Sequence, residues 1–507
     1  LSVMVGTSHE SENYDRFTAK RINFDQQENM SLQLGSAQDQ NAWSEGNQWT
    51  INSFFSRVNY TFANKYVIEG TIRADGSSRF DPDHRWGWFP GVNAAWRVGE
   101  EGFMKRLGWF EDLKVRASYG EMGNQSGIGL YDYIQLISLS NDYYPFGAGV
   151  KGQMATSGNI ISTSRTWETI QTTNVGFDFS TLNNRLYGSF DYFWKENKNM
   201  LIPKTYPSML GADAPSTNSG HLSIHGWEIS LGWRDQIKDF SYSVRFNISD
   251  AKNKVVDRVG SNLIKLGNNE TPTGYPLNSY FGYEFDGIIQ NEQELEAYKS
   301  RFSEGGIPGD LSVGDAMYKD LDGDGKLSVL GDGKEGSGDV KYLGDKNPRY
   351  NFGFNLSMAW KGFDLSAFIQ GVGRRTMFLE GESRCPMPEA WYQSAEYWYG
   401  KTWTPERTDA QYPAITLKDK RNYNYYVSTN TKFNVAYARL KNLQFGYTIP
   451  QTLTSKAGLQ KVRVYFSGED LFEVHNTPNG WDPEENSGSI TSYPFTRNYS
   501  FGINVVF

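Results

Sequence analysis

The most constraining feature of this sequence is a two-residue alternation of apolar and polar side chains that returns in segment after segment. In the last segment, Tyr499, Phe501, Ile503, Val505 and Phe507 alternate with small or polar residues. Successive side chains of a β-strand point to opposite faces, so the alternation predicts a strand with one apolar and one polar face. The apolar face must meet either a second sheet, as in a soluble sandwich, or lipid, as in a membrane barrel.

The same alternation recurs along the whole chain. It is found in Tyr66–Asp75, Leu113–Gly120, Leu186–Lys195, Trp227–Arg234, Phe240–Ser249, Phe352–Trp360, Leu443–Thr448 and Val462–Phe466. Charged residues such as Glu69, Arg116 and Arg245 fall in the middle of these segments, on the polar face. One apolar and one charged face over many strands is typical of a barrel with lipid outside and water inside.

Composition supports the barrel and excludes several other classes. Aromatic residues make up 15 % of the 507 residues, yet hydrophobic residues are only 38 % and mean hydropathy is −0.60. No apolar run is long enough for a transmembrane helix. The net charge is −8 with no dense basic run, which argues against nucleic acid as a partner. Cys385 is the single cysteine, so an internal disulfide is impossible.

The connections between the alternating segments are alternately short and long. The short ones are Ala63–Lys65, Thr181–Asn184, Asp235–Asp239 and Lys361–Gly362. The long ones span 121–169, 196–222, 250–349, 372–431 and 470–496. Short turns at one end and long loops at the other are typical of outer-membrane barrels. We count roughly 15 to 16 strands, and we expect one helix, over Glu292–Tyr298, in the longest loop.

Short motifs occur along nearly the whole chain in an order that resembles the barrel of SusC/RagA-type TonB-dependent outer-membrane transporters. They are Tyr119–Gln125, Trp167–Thr169, Asn174–Asp178, Asn218–Gly220, Gly226–Glu228, Phe285–Gln290, Trp403–Arg407, Tyr437–Leu443, Gly468–Phe472 and Asp482–Glu484. Arg407 and Asp470 stand where the family usually has Asn. Each motif is weak alone, but the ordered set is specific.

The resemblance implies an all-β fold, a transmembrane antiparallel β-barrel with long extracellular loops. Residues 1–507 would be the C-terminal part of that barrel, and the N-terminal plug and first strands would be absent from this chain. It further implies active import of a bulky oligosaccharide or oligopeptide across the outer membrane of a Gram-negative bacterium. TonB would supply energy through the missing plug, a SusD-like surface lipoprotein would form the lid, and two transporter–lipoprotein pairs would form a dimer.

The terminal Phe507 resembles the signal by which outer-membrane barrel proteins are recognised for assembly. We therefore expect Phe507 to be read by the barrel assembly machinery.

Two other functions remain open from the residues themselves. One is a passive outer-membrane porin of about 16 strands, and the other is a secreted β-sandwich adhesin or hydrolase. We do not expect an enzyme, because the chain has five histidines and no nucleophile motif. His221 and His225 are four apart on a predicted strand and lack the HExxH glutamate of a zinc protease. A glycine-rich stretch over 147–152 lacks the strand–turn–helix context of a dinucleotide site.

One segment follows the D-x-D-x-D-G pattern of calcium loops. Hard cations prefer several oxygen ligands, and aspartates that alternate around a sharp glycine turn supply them. The expected ligands of a structural Ca²⁺ are the side chains or carbonyl of Asp320, Asp322, Asp324, Lys326 and Asp332. The twelfth position is Gly331 rather than the usual acid, which comes one residue later. The alternative is a solvated turn rich in Asp and Gly.

A dense aromatic cluster lies in another long loop. Its members are Trp391, Tyr392, Tyr397, Trp398, Tyr399 and Trp403. Aromatic faces stack on sugar rings and peptide side chains, so these residues are candidates for contact with substrate. Interfaces with a lid and aromatic membrane girdles have the same composition, which leaves those two roles open.

Overall fold

The structure is a computed structural model. It describes residues 1–24, 31–38, 40–140, 145–146, 150–151, 154–158, 160–203, 209, 215–258, 267–268, 272–330, 338–388, 393–416, 420–485, 493 and 495–507.

Fourteen antiparallel strands follow one another in chain order in the principal sheet. They are β1 (Ser2–Lys20), β2 (Asn41–Phe62), β3 (Tyr66–Ser77), β4 (Trp86–Arg97), β5 (Asp112–Asn124), β6 (Glu168–Thr181), β7 (Leu186–Pro203), β8 (Ser216–Ile237), β9 (Phe240–Asp257), β10 (Arg349–Trp360), β11 (Phe363–Arg374), β12 (Tyr437–Thr448), β13 (Lys461–His475) and β14 (Asn498–Val506). The sheet confirms the predicted all-β antiparallel fold.

The loops carry short elements of their own. Their strands are Ile137–Ser140, Pro145–Phe146, Val150–Lys151, Met154–Ser157, Gly267–Asn268, Ser279–Tyr283, Phe285–Ile288, Ala316–Tyr318, Val340–Asp345, Thr376–Met377 and Phe433–Asn434. The α-helices are α1 (Gly102–Leu107), α2 (Glu292–Arg301), α3 (Lys420–Asn424) and α4 (Gln451–Thr454). Single 3₁₀ turns occur at Leu32–Leu34, Pro82–His84, Val98–Glu100, Gly381–Ser383, Glu396–Trp398 and Ser455–Ala457. In the described ranges, none of the helices has the length and apolar character needed to cross a bilayer.

Among the described residues the principal sheet has 14 strands, fewer than the 15 to 16 counted from the sequence. The long connection 250–349, predicted as a loop with one helix, also contains strands, and Ser279–Tyr283 pairs with Val340–Asp345 in a separate small sheet. The predicted helix is confirmed and runs three residues further, to Arg301. Its start is fixed locally, since the Asn291 side chain accepts from the Glu294 backbone N–H (2.9 Å) and thereby caps the helix.

The chain divides into two compact units, each described here on its own. The first comprises 1–94, 118–173 and 195–221, and the second comprises 95–117, 174–194 and 222–507. In the second unit the turns at one strand end are tight. Lys361 and Gly362 join β10 to β11 with φ of 45° and 91°, as a two-residue type I′ hairpin requires. Between β8 and β9 the turn is only Lys238–Asp239, shorter than the predicted Asp235–Asp239.

The two faces of the strands differ as the alternation predicts. On the apolar face large side chains are exposed, and Phe501 and Ile503 on β14 are clear examples. On the polar face charges pair across strands. In the second unit the Arg116 guanidinium donates to both Asp178 and Asp191, with N···O distances of 3.2 and 2.5 Å. Exposed apolar side chains on one face and ion pairs on the other suit a wall between lipid and water.

Candidate functional site

The long connections of the second unit fold around two hydrophobic cores of their own. The first loop core consists of Tyr283, Ile289, Leu295, Tyr298, Phe302, Leu311, Ala316, Tyr318, Leu327 and Tyr423. The second loop core consists of Met377, Leu379, Cys385, Tyr397, Trp398, Tyr412, Tyr425, Val435 and Trp481. Each core draws residues from connections far apart in sequence. The loops are therefore packed structures that can hold a surface in place.

Buried tyrosine hydroxyls join the two longest connections within the first loop core. The Tyr298 and Tyr423 hydroxyls are hydrogen-bonded at 2.6 Å, and Tyr298 also accepts from the Tyr318 backbone N–H at 2.9 Å. The Tyr318 hydroxyl donates to the Tyr423 carbonyl at 2.7 Å. Burial raises the pKa of Tyr298 to about 12, so its hydroxyl stays neutral at physiological pH.

The second loop core contains two members of the predicted aromatic cluster. The Tyr397 hydroxyl is hydrogen-bonded to that of Tyr412 at 2.6 Å, and the Trp398 ring packs edge-on against Tyr412, with centroids 4.9 Å apart. Tyr397 and Trp398 are both buried, whereas the neighbouring Tyr399 is 90 % exposed. Tyr397 and Trp398 thus stabilise the loop from inside, and Tyr399 is free to contact another molecule.

The other members of that cluster have different positions. Trp403 is half-buried, and its Nε1–H donates to the Gln290 side-chain oxygen at 3.1 Å, which links the two long connections. Trp391 and Tyr392 lie outside the described residues. Alternation and aromatic density do not distinguish a ring that packs inward from one that faces solvent, so the sequence alone could not separate Trp398 from Tyr399.

The acidic segment brings three carboxylates together. Oxygens of Asp320, Asp322 and Asp339 lie within 4.8 Å of one another. The Asp320 side chain accepts from the backbone N–H groups of Gly323 and Gly325, at 2.7 and 3.0 Å. Both glycines have positive φ, 75° and 76°, which turns the chain around the carboxylate.

Two further members of the predicted metal loop are placed differently. The Asp324 carboxylate is not part of the acidic group and accepts from the Lys326 backbone N–H at 2.8 Å. Asp332 lies outside the described residues. The third carboxylate, Asp339, was missed by the sequence reasoning because it lies beyond the motif and no fixed spacing connects the two.

Asp339 is fully buried, and backbone groups of the surrounding loop hold its carboxylate in place. Its two oxygens accept from the backbone N–H groups of Leu321 (2.6 Å) and Ser328 (2.8 Å). Burial raises the pKa of Asp339, and the neighbouring charges of Asp322 and Asp320 act in the same direction. A hard divalent cation would satisfy this set of oxygens, which is the donor chemistry that calcium prefers.

A bridge of charges lies beside the first loop core. Glu284 accepts from the ammonium groups of both Lys319, at 2.6 Å, and Lys341. These two hydrogen bonds lower the pKa of Glu284 to about 2. One carboxylate thus pairs with two lysines.

Two motifs of the second unit form a buried charge cluster where the loops meet the sheet. Arg439 on β12 is buried and lies near three carboxylates, those of Asp482, Glu484 (3.3 Å) and Glu473 (3.8 Å). Lys441 pairs with Glu484 at 3.0 Å. The segments Tyr437–Leu443 and Asp482–Glu484 thus pair with each other and fasten the last long connection to β12.

Motifs of the first unit have a similar structural role. The Trp167 ring packs with Phe80 and Phe89, and its Nε1–H donates to the Arg85 carbonyl at 2.9 Å. Glu168 is buried and accepts from the Asn124 side chain and the Leu201 backbone N–H, both at 2.8 Å. These residues fix the start of β6.

Comparison with known proteins identifies the family to which this fold belongs. The family model described as TonB dependent receptor-like, beta-barrel matches residues 2–471. The chain belongs to this family. Its members are outer-membrane transporters rather than enzymes, so the reading as a secreted β-sandwich adhesin or hydrolase is wrong.

Individual relatives of this TonB-dependent barrel agree with the SusC/RagA resemblance. TonB-dependent receptor P3 of Formosa agariphila is 32 % identical over 490 residues, which cover 91 % of this chain and 46 % of that protein. TonB-dependent receptor SusC of Bacteroides thetaiotaomicron is 27 % identical over 505 residues, or 92 % of this chain and 45 % of SusC. The chain thus spans about half the length of the curated relatives it matches.

Among solved structures, the RagAB peptide transporter superposes on 99 % of this chain and 53 % of its own, with a TM-score of 0.79 and 22 % identity. At this identity the likeness concerns the fold, and it confirms the predicted barrel fold of SusC/RagA type.

Proposed function

We propose that this chain provides the barrel wall and the loop platform of an importer that carries a bulky oligosaccharide or oligopeptide across the outer membrane. TonB drives the uptake step through the plug, and a SusD-like lipoprotein closes the mouth as a lid. Two such pairs associate as a dimer, as the family resemblance implies.

The observation that carries this proposal is the pair of loop cores. Long extracellular loops occur in outer-membrane barrels generally, but these connections are also packed around buried aromatic residues such as Tyr318 and Tyr412. Function is commonly carried by loops that a rigid scaffold positions. A rigid platform suits a stable partner, and the exposed ring of Tyr399 offers a contact for a lid or a substrate.

Affinity purification of the tagged full-length protein from detergent extracts tests the proposal. We expect a lipoprotein to co-purify in roughly equal amount, and we expect uptake of labelled oligomers to stop when the proton gradient is collapsed. A barrel that purifies alone and passes small solutes without a proton gradient would favour the passive porin instead.

We further propose that Phe507 is an assembly signal. Strand β14 ends at Val506, and Phe507 follows it with its side chain 83 % exposed, in line with Tyr499, Phe501 and Ile503. Deletion of Phe507 should lower the amount of heat-modifiable, folded barrel in the outer membrane. Phe507→Tyr, which keeps an aromatic side chain at this position, gives a matched control, and equal amounts of folded protein in the wild type and the deletion variant would contradict the role.

We also propose that Asp320, Asp322 and Asp339 hold a structural cation of the calcium type, which would stabilise the longest loop. Asp322→Asn should remove the bound metal, measured by elemental analysis of purified protein, and raise hydrogen exchange over 319–328. Asp324→Asn is the control, because its carboxylate lies outside the acidic group. Metal content that is unchanged in Asp322→Asn would refute the site.

A further inference from the structure

The second unit contains a group of basic side chains at the end of β11 and on the loop strands next to it. We name it the rim cation cluster, formed by Lys341, Arg374 and Lys432. Arg374 ends β11, Lys341 lies on the loop strand Val340–Asp345, and Lys432 precedes the loop strand Phe433–Asn434. Arg374 and Lys432 are exposed and Lys341 is half-buried, so all three can reach a ligand.

The fold holds these basic residues near one another although their charges repel. Gly344 on the strand of Lys341 lies against Thr376, two residues after Arg374, and Thr376 pairs in turn with Asn434, two residues after Lys432. Partial desolvation, followed by the charges of Arg374 and Lys341, lowers the pKa of Lys432. Like charges that are held close together destabilise the fold unless a bound anion neutralises them.

The strand register adds a second repulsive contact. Arg349 on β10 lies directly opposite Arg374 on β11, and like charges opposite each other are unfavourable in a sheet. Arg349 is neutralised by Asp250, to which it donates two hydrogen bonds. The side chain of Arg374 has neither a hydrogen bond nor an ion pair within the described ranges, and the same holds for the side chain of Lys432.

The carboxylates described beside this cluster are each already engaged. Lys341 shares its carboxylate, Glu284, with Lys319, and Asp250 is taken by Arg349. The nearby Asp345 contributes one negative charge, which acts on Arg349, and its carboxylate accepts from the Tyr342 hydroxyl at 2.7 Å. A positive surface in a chain with a net charge of −8 is a local feature that the overall composition does not explain.

We propose that the rim cation cluster binds the anionic group, carboxylate or sulfate, of an acidic oligosaccharide. Arginine and lysine form strong charge-assisted hydrogen bonds with such groups. The surroundings suit a sugar, because an exposed aromatic ring that can stack on it and an acceptor for its hydroxyl groups lie beside the cluster. Tyr342 is 36 % exposed, and its ring also contacts those of Tyr275 and Phe281. It lies close enough to Arg349 and Arg374 for their charges to act on its hydroxyl, and Asp345 supplies the acceptor.

This inference rests on the proposed import function and names its substrate class. Its test is binding of labelled acidic oligosaccharides to the purified full-length protein at low salt. The probes are hexagalacturonate with its methyl ester, and a chondroitin sulfate hexasaccharide with its desulfated form. We expect an acidic probe to bind at least about tenfold more tightly than its neutral partner, and added salt to weaken it.

Substitutions then test whether the rim cation cluster causes the preference for the acidic probe. Arg374→Gln and Lys432→Gln should each weaken the acidic probe by about tenfold and leave the neutral partner unchanged. Lys361→Gln, at a tight turn on the opposite end of β11, is the matched control and should have no effect. If a variant fails to fold, the comparison of charged and neutral probes on the wild-type protein still tests the site.

The outcomes separate the two proposals. Equal binding of charged and neutral probes, or no loss in the Gln variants, overturns the anion site. Equally tight binding of hexaglutamate overturns the choice of a sugar. Import that continues without a proton gradient overturns the proposed function, whichever probe is bound.

Discussion

Aromatic side chains have opposite environments in the strands and in the loops of the second unit. On the strands, Phe445 and Phe501 are 47 % and 83 % exposed, whereas Tyr318 and Tyr412 in the loop cores are fully buried. The strand residues face lipid, where an exposed ring is stable, and the loop residues face water, where a ring must be covered. Exposure alone therefore does not indicate which aromatic residue is free for binding, because a ring exposed to lipid is stable without a binding partner.

The largest expected effect comes from removing a ring inside the second loop core. Trp398→Ala should destabilise that core by about 3–5 kcal/mol, because it deletes a buried indole and leaves a cavity. Hydrogen exchange over 393–416 measures the loss. The adjacent Tyr399→Ala is the control and should change exchange little, since Tyr399 is exposed. Equal effects of the two substitutions would contradict the burial of Trp398.

The same comparison predicts that an added lysine destabilises the protein on a strand but is tolerated at an exposed loop residue. Phe445→Lys should destabilise the barrel by about 2–4 kcal/mol if the residue lies near the bilayer midplane. Tyr399→Lys, at a residue nearly twice as exposed, should stay within about 0.5 kcal/mol. Folding of each variant into lipid vesicles, followed by its heat-modifiable mobility, measures the difference. A tolerated lysine at Phe445 would contradict contact between that face and lipid.

A smaller effect is expected from one hydroxyl of the first loop core. Tyr298→Phe keeps the ring but leaves the buried Tyr318 backbone N–H without its acceptor, at a cost of about 1–3 kcal/mol. Exchange should rise at Ala316–Tyr318 and in α3 together, because the hydroxyl joins both. Tyr426→Phe, whose hydroxyl has no hydrogen bond among the described residues, is the control. A rise confined to one of the two segments would refute the coupling.

The smallest effect concerns the charges that support the loop platform. The folded pKa of Glu284, about 2, lies below its ordinary value of 4.5. Its contribution to stability is therefore present above pH 4.5 and is lost as the pH falls towards 2. Exchange protection over Ser279–Tyr283 should decline in this window. The decline should be absent in Glu284→Gln, and an identical decline in both proteins would assign the pH dependence to other groups.

Local patterns allowed the fold to be predicted from the sequence. The alternation of Tyr499 to Phe507 identifies a strand face, and Lys361–Gly362 identifies a tight turn. Each of these signals is contained within a few neighbouring residues. The small loop sheets, such as Ser279–Tyr283 with Val340–Asp345, were not predicted, because alternation does not show which segments pair within a long connection.

Long-range contacts account for what the sequence did not predict. Asp339 joins Asp320 and Asp322 only because the chain returns to them after a long excursion. Arg374 lies opposite Arg349 only through the register of β10 and β11. Neither relation has a fixed spacing, and the inward packing of Trp398 depends on partners such as Tyr412 that no local pattern identifies.

The hydrogen bond between the Tyr298 and Tyr423 hydroxyls joins residues 125 positions apart. A loop that carries one half of such a contact cannot be exchanged alone, because the recipient would keep a buried hydroxyl without its partner. Anyone who grafts the loops of this protein onto a related barrel, to transfer its substrate preference, would have to move the connection after β9 and the connection after β11 as one piece.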